Sequence, residues 1–237
     1  MSEITFRDLD GMAEFRTAEE LQRAVWGEGD KEDPADLMMV MQHEGGLVAG
    51  AFRDGQMLGY VFGFPTATPG VQHSHRLAVL EAARGLGLGV RLKWYQRDWC
   101  LARDIRHVRW TYDPLRLPNA TLNIHRLGAQ ASTYLPDYYG AMEGINKGAP
   151  SDRLMADWFL DSPRVVACAA GAPLPYPTDP AARVAVPADF GALLHADPAA
   201  ARAARLENRA TLQQAFAQGQ RITGFDSASR SYLLTTG

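Results

Sequence analysis

The residues best placed to do chemistry lie between Arg84 and Val90. Arg84, Leu86 and Leu88 alternate there with Gly85, Gly87 and Gly89. Glycine at every second position lets a backbone approach a ligand closely and take dihedrals that other residues resist. A helix starting near Leu88 would point its unpaired N–H groups and positive dipole end into this loop, which makes an anion site suited to phosphate. Arg76 to Leu80, just before the loop, is short, mostly apolar and bounded by turn signals, as a buried strand should be. His73 and His75 alternate with Leu77 and Val79, so all four side chains are expected on one sheet face. A histidine there has an unperturbed pKa suited to proton transfer near neutral pH. The alternative is a buried, hydrogen-bonded structural histidine, and only geometry separates the two. Glu81 is a second candidate base, or a solvated residue at a strand end.

The loop itself narrows the phosphate ligand. A Walker loop ends in Gly-Lys-Ser/Thr, and here the end is Gly89-Val90-Arg91. A dinucleotide fingerprint starting at Gly85 and Gly87 needs a third glycine where Val90 stands. What does fit is Arg-x-x-Gly-x-Gly, through Arg84, Gly87 and Gly89. With the lead-in Leu77-Ala78-Val79, that pattern resembles the acyl-CoA loop of the GNAT superfamily of N-acetyltransferases. Taken alone, it also fits a structural turn between strand and helix. A second stretch, Asn119-Ala-Thr-Leu-Asn-Ile-His-Arg-Leu-Gly128, is similar to the segment ending in Leu-Gly in many members. Two motifs in order, about thirty residues apart, are more specific than either alone.

The elements that must position these residues are predicted as follows. Ile4 to Leu9 forms a strand. Thr17 and Glu20 make a capping box for a helix to Val25. A charged loop from Trp26 to Pro34 leads to a second helix with Leu37, Val40 and Met41 on its buried side. Leu47 to Arg53 and Met57 to Pro65 flank Asp54-Gly55, a strong hairpin signal. After the glycine loop, Leu88, Leu92, Tyr95, Trp99 and Ala102 make one helical stripe, read as core packing. His107 to Tyr112 is a strand, Asn119 to Leu127 a helix with Gly128 as its C′ residue, Ala129 to Tyr139 extended, and Leu154 to Leu160 a last strand. The hairpin followed by β-α-β alternation implies an α/β (α+β) fold, a mixed central sheet flanked by helices. This order is similar to the GNAT fold over residues 1–160.

Residues 161–237 are expected to be a small α/β extension, packed on the first part or building a homodimer contact. It is too small to stand alone. Its first 22 residues, 161–182, are rich in Pro, Ala and Gly and read as irregular. Asp197-Pro198 opens a helix with Ala199, Ala203, Leu206 and Ala210 as apolar positions. Ile222 to Phe225 and Ser231 to Thr235 pair as a hairpin.

Composition excludes several classes. Charged residues are 22% and hydrophobic ones 46%, with net charge −3, and no basic stripe marks a nucleic-acid partner. Two cysteines make neither a disulfide framework nor a metal motif. No basic-then-apolar leader and no run of about 18 apolar residues is found, so a cytoplasmic protein without metal or membrane partner is expected.

The resemblance implies direct transfer of an acyl group, acetyl by default, from acyl-CoA to the amine of a small molecule such as an amino acid or related metabolite. It assigns the pyrophosphate to the backbone of Arg84, Gly85, Leu86, Gly87, Leu88, Gly89 and Val90, with Arg91 or Lys93 reaching the ribose phosphate, or else solvated. Leu77 and Val79 are expected to pair with the pantetheine arm, and the N–H of Val79 or Leu80 to polarise the thioester. Asn119 and Asn123 flank CoA from the second motif, unless Asn119 is only an N-cap. His75 is the expected base. Many members carry a proton-donating tyrosine four residues before the glycine of the second motif, and here that position is Ile124. Tyr134, Tyr138 or Tyr139 then supplies the hydroxyl, or water does. Arg153 either binds an acceptor carboxylate or pairs with Asp152. Two other readings stay open: a CoA-binding or regulatory module that has lost catalysis, and an unrelated α/β nucleotide binder.

Overall fold

The structure, a computed structural model, describes residues 2–27, 31–140, 150–172 and 174–236. The chain divides into two compact units, residues 1–108 and 109–237, the division falling inside a strand. The fold class is mixed α/β, with a mostly antiparallel sheet flanked by helices.

In the first unit, β1 (Thr5–Asp8), β2 (Leu47–Arg53), β3 (Gln56–Pro65) and β4 (Val71–Val79) pair in sequence order, all antiparallel. The β2–β3 hairpin turns as expected, with Asp54 at φ 51° and Gly55 at φ 79°. α1 (Gly11–Trp26) and α2 (Ala35–His43) cover one face, where Phe15, Ala18, Leu21, Ala35 and Met38 pack against Tyr60, Phe62 and Ala78. α3 (Leu88–Leu101) is fixed to β1 by Tyr95 and Trp99, which both donate to the Asp8 carboxylate, at 2.8 and 3.1 Å.

Two helix expectations fail here. α1 starts six residues before Thr17, whose hydroxyl donates to the Ala13 carbonyl inside the helix. The reach-back comes from Glu14, which accepts the Asp10 N–H at 2.9 Å. In α2 the buried residues are Ala35 and Met38, while Leu37 and Val40 are exposed. Residues 37–41 are apolar without a break, so their pattern selects no face.

In the second unit, β5 (His107–Tyr112), β6 (Gln130–Leu135), β7 (Arg153–Phe159), β8 (Ala182–Ala185), β9 (Gln220–Asp226) and β10 (Ser231–Thr236) lie in the order β5-β7-β6-β9-β10-β8. The tail hairpin therefore extends a sheet, with Ile222 of β9 opposite Ala131 of β6. The second motif is α4 (Leu117–Ala120) running into a wider π-helical turn, Thr121–Arg126. Gly128 ends it at φ 73°, and a Cβ there would meet Cys168 Sγ at 3.0 Å, so glycine is required twice over. The stretch expected to be irregular holds α5 (Pro163–Ala169), capped by Ser162. Its Arg164 donates to the Gly128 carbonyl at 2.8 Å. α6 (Phe190–Ala196) was not expected. α7 (Pro198–Ala217) starts where predicted, with the Asp197 side chain accepting the Ala200 N–H at 2.9 Å. Its buried face is Ala201, Arg205, Asn208, Leu212 and Ala215, and Leu206 is exposed.

Candidate active site

The strand–loop–helix unit forms as the sequence implies. After β4 the chain makes one 3₁₀ turn, Glu81–Ala83, and then opens through Arg84 to Gly87 on the surface. Gly87 is the N-cap of α3 at φ 67° and ψ 18°, and Gly85 has φ 87°. A Cβ on either glycine meets nothing within 4 Å, and one on Gly89 meets only Leu77 Cδ2 at 3.8 Å. The first intrahelical bond is Arg91 N–H to the Gly87 carbonyl, 3.1 Å. The N–H groups of Leu88, Gly89 and Val90 thus lie in the first turn, which has no partners within the helix. No side chain caps them. This open rim of amides fits a pyrophosphate. Among the described residues, Arg84 is engaged only by Glu81 at 3.1 Å, both largely exposed, an arrangement of little net stability that leaves its charge available to an anion.

Of the two cations expected beyond the loop, Arg91 is exposed and lies 4.6 Å over the Phe6 ring. Lys93 is buried and belongs elsewhere. Its Nζ donates to Ser74 Oγ at 3.0 Å and Gln96 Oε1 at 2.6 Å, so it does not reach a ribose phosphate. Burial lowers the Lys93 pKa to about 7.

β4 departs from regular alternation. Leu77 stands opposite Val61 and Arg76 opposite Phe62, but Ser74 then stands opposite Gly63, leaving His75 as the extra residue of a β-bulge. His75 and Arg76 therefore both project towards the α1–α2 side. The His75 ring lies 5.5 Å from both Phe62 and Phe64, and the Arg76 guanidinium lies over Trp26 at 4.8 Å. The expected common face of His73, His75, Leu77 and Val79 is split: Leu77 and Val79 share the register of Val61 and Gly59, away from the histidines.

Asp33 is the residue that sequence reading missed. Its Oδ1 lies 3.1 Å from His75 Nε2 and its Oδ2 accepts Arg76 Nε–H at 2.8 Å. Burial raises its pKa, but the bonds from His75 and Arg76 outweigh that and hold it below the ordinary carboxylate range. A carboxylate 42 residues from its histidine in the chain leaves no spacing signal. Leu80 N–H donates to the Leu58 carbonyl at 2.9 Å, so of the two expected oxyanion donors only Val79 points its amide away from β3.

In the second unit, the N-cap of α4 is Arg116, which removes the N-cap reading of Asn119; Asn119 is half-buried. Asn123 is buried in the π turn, its carbonyl accepting the Ala129 N–H at 2.9 Å. Ile124 is fully buried. The Tyr134 phenol donates to Asp152 at 2.7 Å, and Asp152 also binds Arg209 and the Asp137 N–H. Burial first, then the bond to Asp152, push the Tyr134 pKa well up. Tyr138 is exposed and edge-on to Tyr139 at 4.8 Å. Arg153 donates to the Asp152 carbonyl and lies over the Tyr139 ring at 5.0 Å, not on the Asp152 carboxylate. Residues 28–30 of the charged loop after Trp26 lie outside the described residues. Among the described residues there is no group of three His, Cys, Asp or Glu that could hold a metal ion, and no helix is long and apolar enough to cross a membrane.

Comparison places these features in a known class. Residues 12–128, spanning both motifs, match the model of the acetyltransferase (GNAT) family. Over that segment the chain resembles the GNAT acetyltransferases, a family that uses acetyl-CoA. No curated protein matches the sequence. Among solved structures it is similar to yncA of Salmonella typhimurium, solved with its cofactor acetyl-CoA, with a TM-score of 0.54 at 19% identity over 68% of this chain and 96% of that one. It is also similar to the ribosomal-protein-S18-alanine N-acetyltransferase of Escherichia coli (0.53, 15%, 65% and 92%) and to aminoglycoside 6'-acetyltransferase type Ii (0.53, 15%, 66% and 97%). At these identities the likeness is one of fold.

Proposed function

We propose that the protein is an N-acyltransferase moving an acetyl group, or a related acyl group, from acyl-CoA to the amine of a small molecule such as an amino acid. The observation that carries this reading is a histidine bonded to a carboxylate on the strand that leads into an open rim of helix N-terminal amides. The amides of Leu88, Gly89 and Val90 take the pyrophosphate, with Arg84 adding a charge-assisted contact. The main chain of Leu77 and Val79 pairs with the pantetheine arm as an added strand would.

His75 donates from Nε2 to Asp33, so in the neutral ring Nδ1 carries the lone pair. His75 lies four residues before Val79 on the strand, about 13 Å, so the ammonium proton reaches the imidazole through water. The freed amine attacks the thioester carbon, the Val79 N–H steadies the oxyanion, and the C–S bond breaks to release CoA thiolate. With a thiol pKa of about 8.5, water suffices to protonate it. Tyr138 is the side-chain alternative; Tyr134 is committed to Asp152. We assign the tail to the body of the second unit, because β9 pairs with β6 and α7 binds Asp152. Homodimerisation and a cytoplasmic setting remain part of the proposal.

The test is thiol release from acetyl-CoA across a panel of amines and amino-terminal peptides. Release with small amines supports the reading, and release with peptides alone replaces its acceptor. Acetyl-CoA binding without release on any acceptor supports instead a module that has lost catalysis, the reading favoured by buried Ile124 at the family's tyrosine position. The loop is tested separately. Gly87→Val forces a β-branched residue to positive φ, at a cost of about 1–2 kcal/mol, and puts its side chain where the anion must sit. Acetyl-CoA affinity should fall at least about tenfold while the far-ultraviolet circular dichroism is retained. Unchanged affinity by calorimetry removes the loop from CoA binding.

A further inference from the structure

We propose that Asp33 is the positioning residue of the reaction: it fixes the tautomer and orientation of the His75 ring, and the β4 bulge delivers His75 and Arg76 to it together. The proposal rests on His75 being the base.

Asp33 is itself held. Its N–H donates to Gln22 Oε1 at 2.8 Å, and Gln22 Nε2 returns a bond to the Asp33 carbonyl at 3.3 Å. Gln22 is buried in α1, so the carboxylate is referenced to a helix and not to a free loop. Its two oxygens are divided between His75 and Arg76, and Arg76 also binds the Lys31 carbonyl at 2.5 Å. Phe62 and Phe64 of β3 set the plane of the imidazole, and Asp33 sets which nitrogen carries hydrogen. A regular β4 would send His75 and Arg76 to opposite faces, and one carboxylate could not bind both. With Nε2–H bound to an anion, the imidazolium formed on proton capture is stabilised.

Among the described residues, the charged and titratable groups around His75 are Lys31, Glu32 and Asp33 from the α1–α2 loop and Arg76 and His73 from β4. Glu32 binds Arg23 of α1 and acts on Arg76. β3 contributes only uncharged rings. Asp33→Asn keeps the shape but removes the charge and one acceptor, so His75 and Arg76 compete for a single oxygen.

The experiment is nitrogen-15 NMR titration of the histidine side chains in the full chain, with His75→Ala to assign the signals, alongside thiol release from acetyl-CoA with the pooled amine panel. In the wild type, His75 should be the Nε2–H tautomer. In Asp33→Asn the tautomers should mix. Release should drop at least about tenfold, with KM for acetyl-CoA unchanged. Asp33→Glu should recover part of both. An unaltered His75 tautomer in Asp33→Asn overturns the positioning role whatever happens to turnover. Wild-type release by His75→Ala overturns the base assignment, and with it the catalytic role of Asp33.

Discussion

Arg205→Ala should destabilise the protein by about 3–5 kcal/mol, the cost of leaving a buried carboxylate without its cation. Arg205 is 1% exposed and grips both oxygens of Asp113, Nη1 to Oδ1 and Nη2 to Oδ2, each at 2.7 Å. Asp113 also accepts the Leu115 N–H at 2.8 Å, which forms the turn after β5, and the guanidinium lies 4.6 Å over the Phe190 ring. The pair thus ties the tail helix α7 to a turn 92 residues earlier in the chain. Urea unfolding at neutral pH measures the loss. The double variant Asp113→Leu/Arg205→Met should recover much of it, because an apolar pair of similar volume carries no unpaired charge. A loss below about 1 kcal/mol for Arg205→Ala would show that the second unit does not depend on this contact.

Lys93→Met should remove most of a pH-dependent gain in stability. The folded-state pKa of Lys93, about 7, lies below that of free lysine, about 10.4. Between those values the unfolded chain binds one more proton than the folded chain, so stability rises with pH across that window. Cys100, which burial pushes up to about 12, acts with the opposite sign above about pH 9, where the unfolded thiol ionises and the folded one does not. The comparison therefore belongs below that point. From about pH 7 to about 8.5 the wild type should gain about 2 kcal/mol more than Lys93→Met. Equal slopes for the two proteins would mean that Lys93 stays charged. The side-chain network supports the neutral amine: Ser74 donates to Gln96 Oε1 at 3.1 Å, Gln96 donates to Gln72 at 2.6 Å, and Lys93 donates into the same chain. These groups join β4 to α3, the two elements that hold the glycine loop between them.

The sequence made the loop legible because its signal is local. Glycines at positive φ, a strand before them and an apolar stripe after them need no partner elsewhere. The Asp54-Gly55 hairpin was legible for the same reason. Faces were read poorly where chemistry and position disagree. α2 is apolar on all sides. α7 buries Arg205 and Asn208, which a hydrophobic period assigns to solvent. The site was half legible. His75 stood out by type and place, but its partner Asp33 and the bulge that aims it depend on pairing between distant segments. The buried acceptors of Tyr134 and Lys93 were equally invisible, since both residues looked like surface groups free to act.

The bulge also says how this strand can change over time. Losing one residue between Ser74 and Leu77 would restore regular pairing with β3, keep the other side chains on their faces, and leave only one of His75 and Arg76 beside Asp33. β4 can therefore vary in the letters it carries but not in their number, and insertions or deletions in descendants that keep this chemistry belong in the turns outside it.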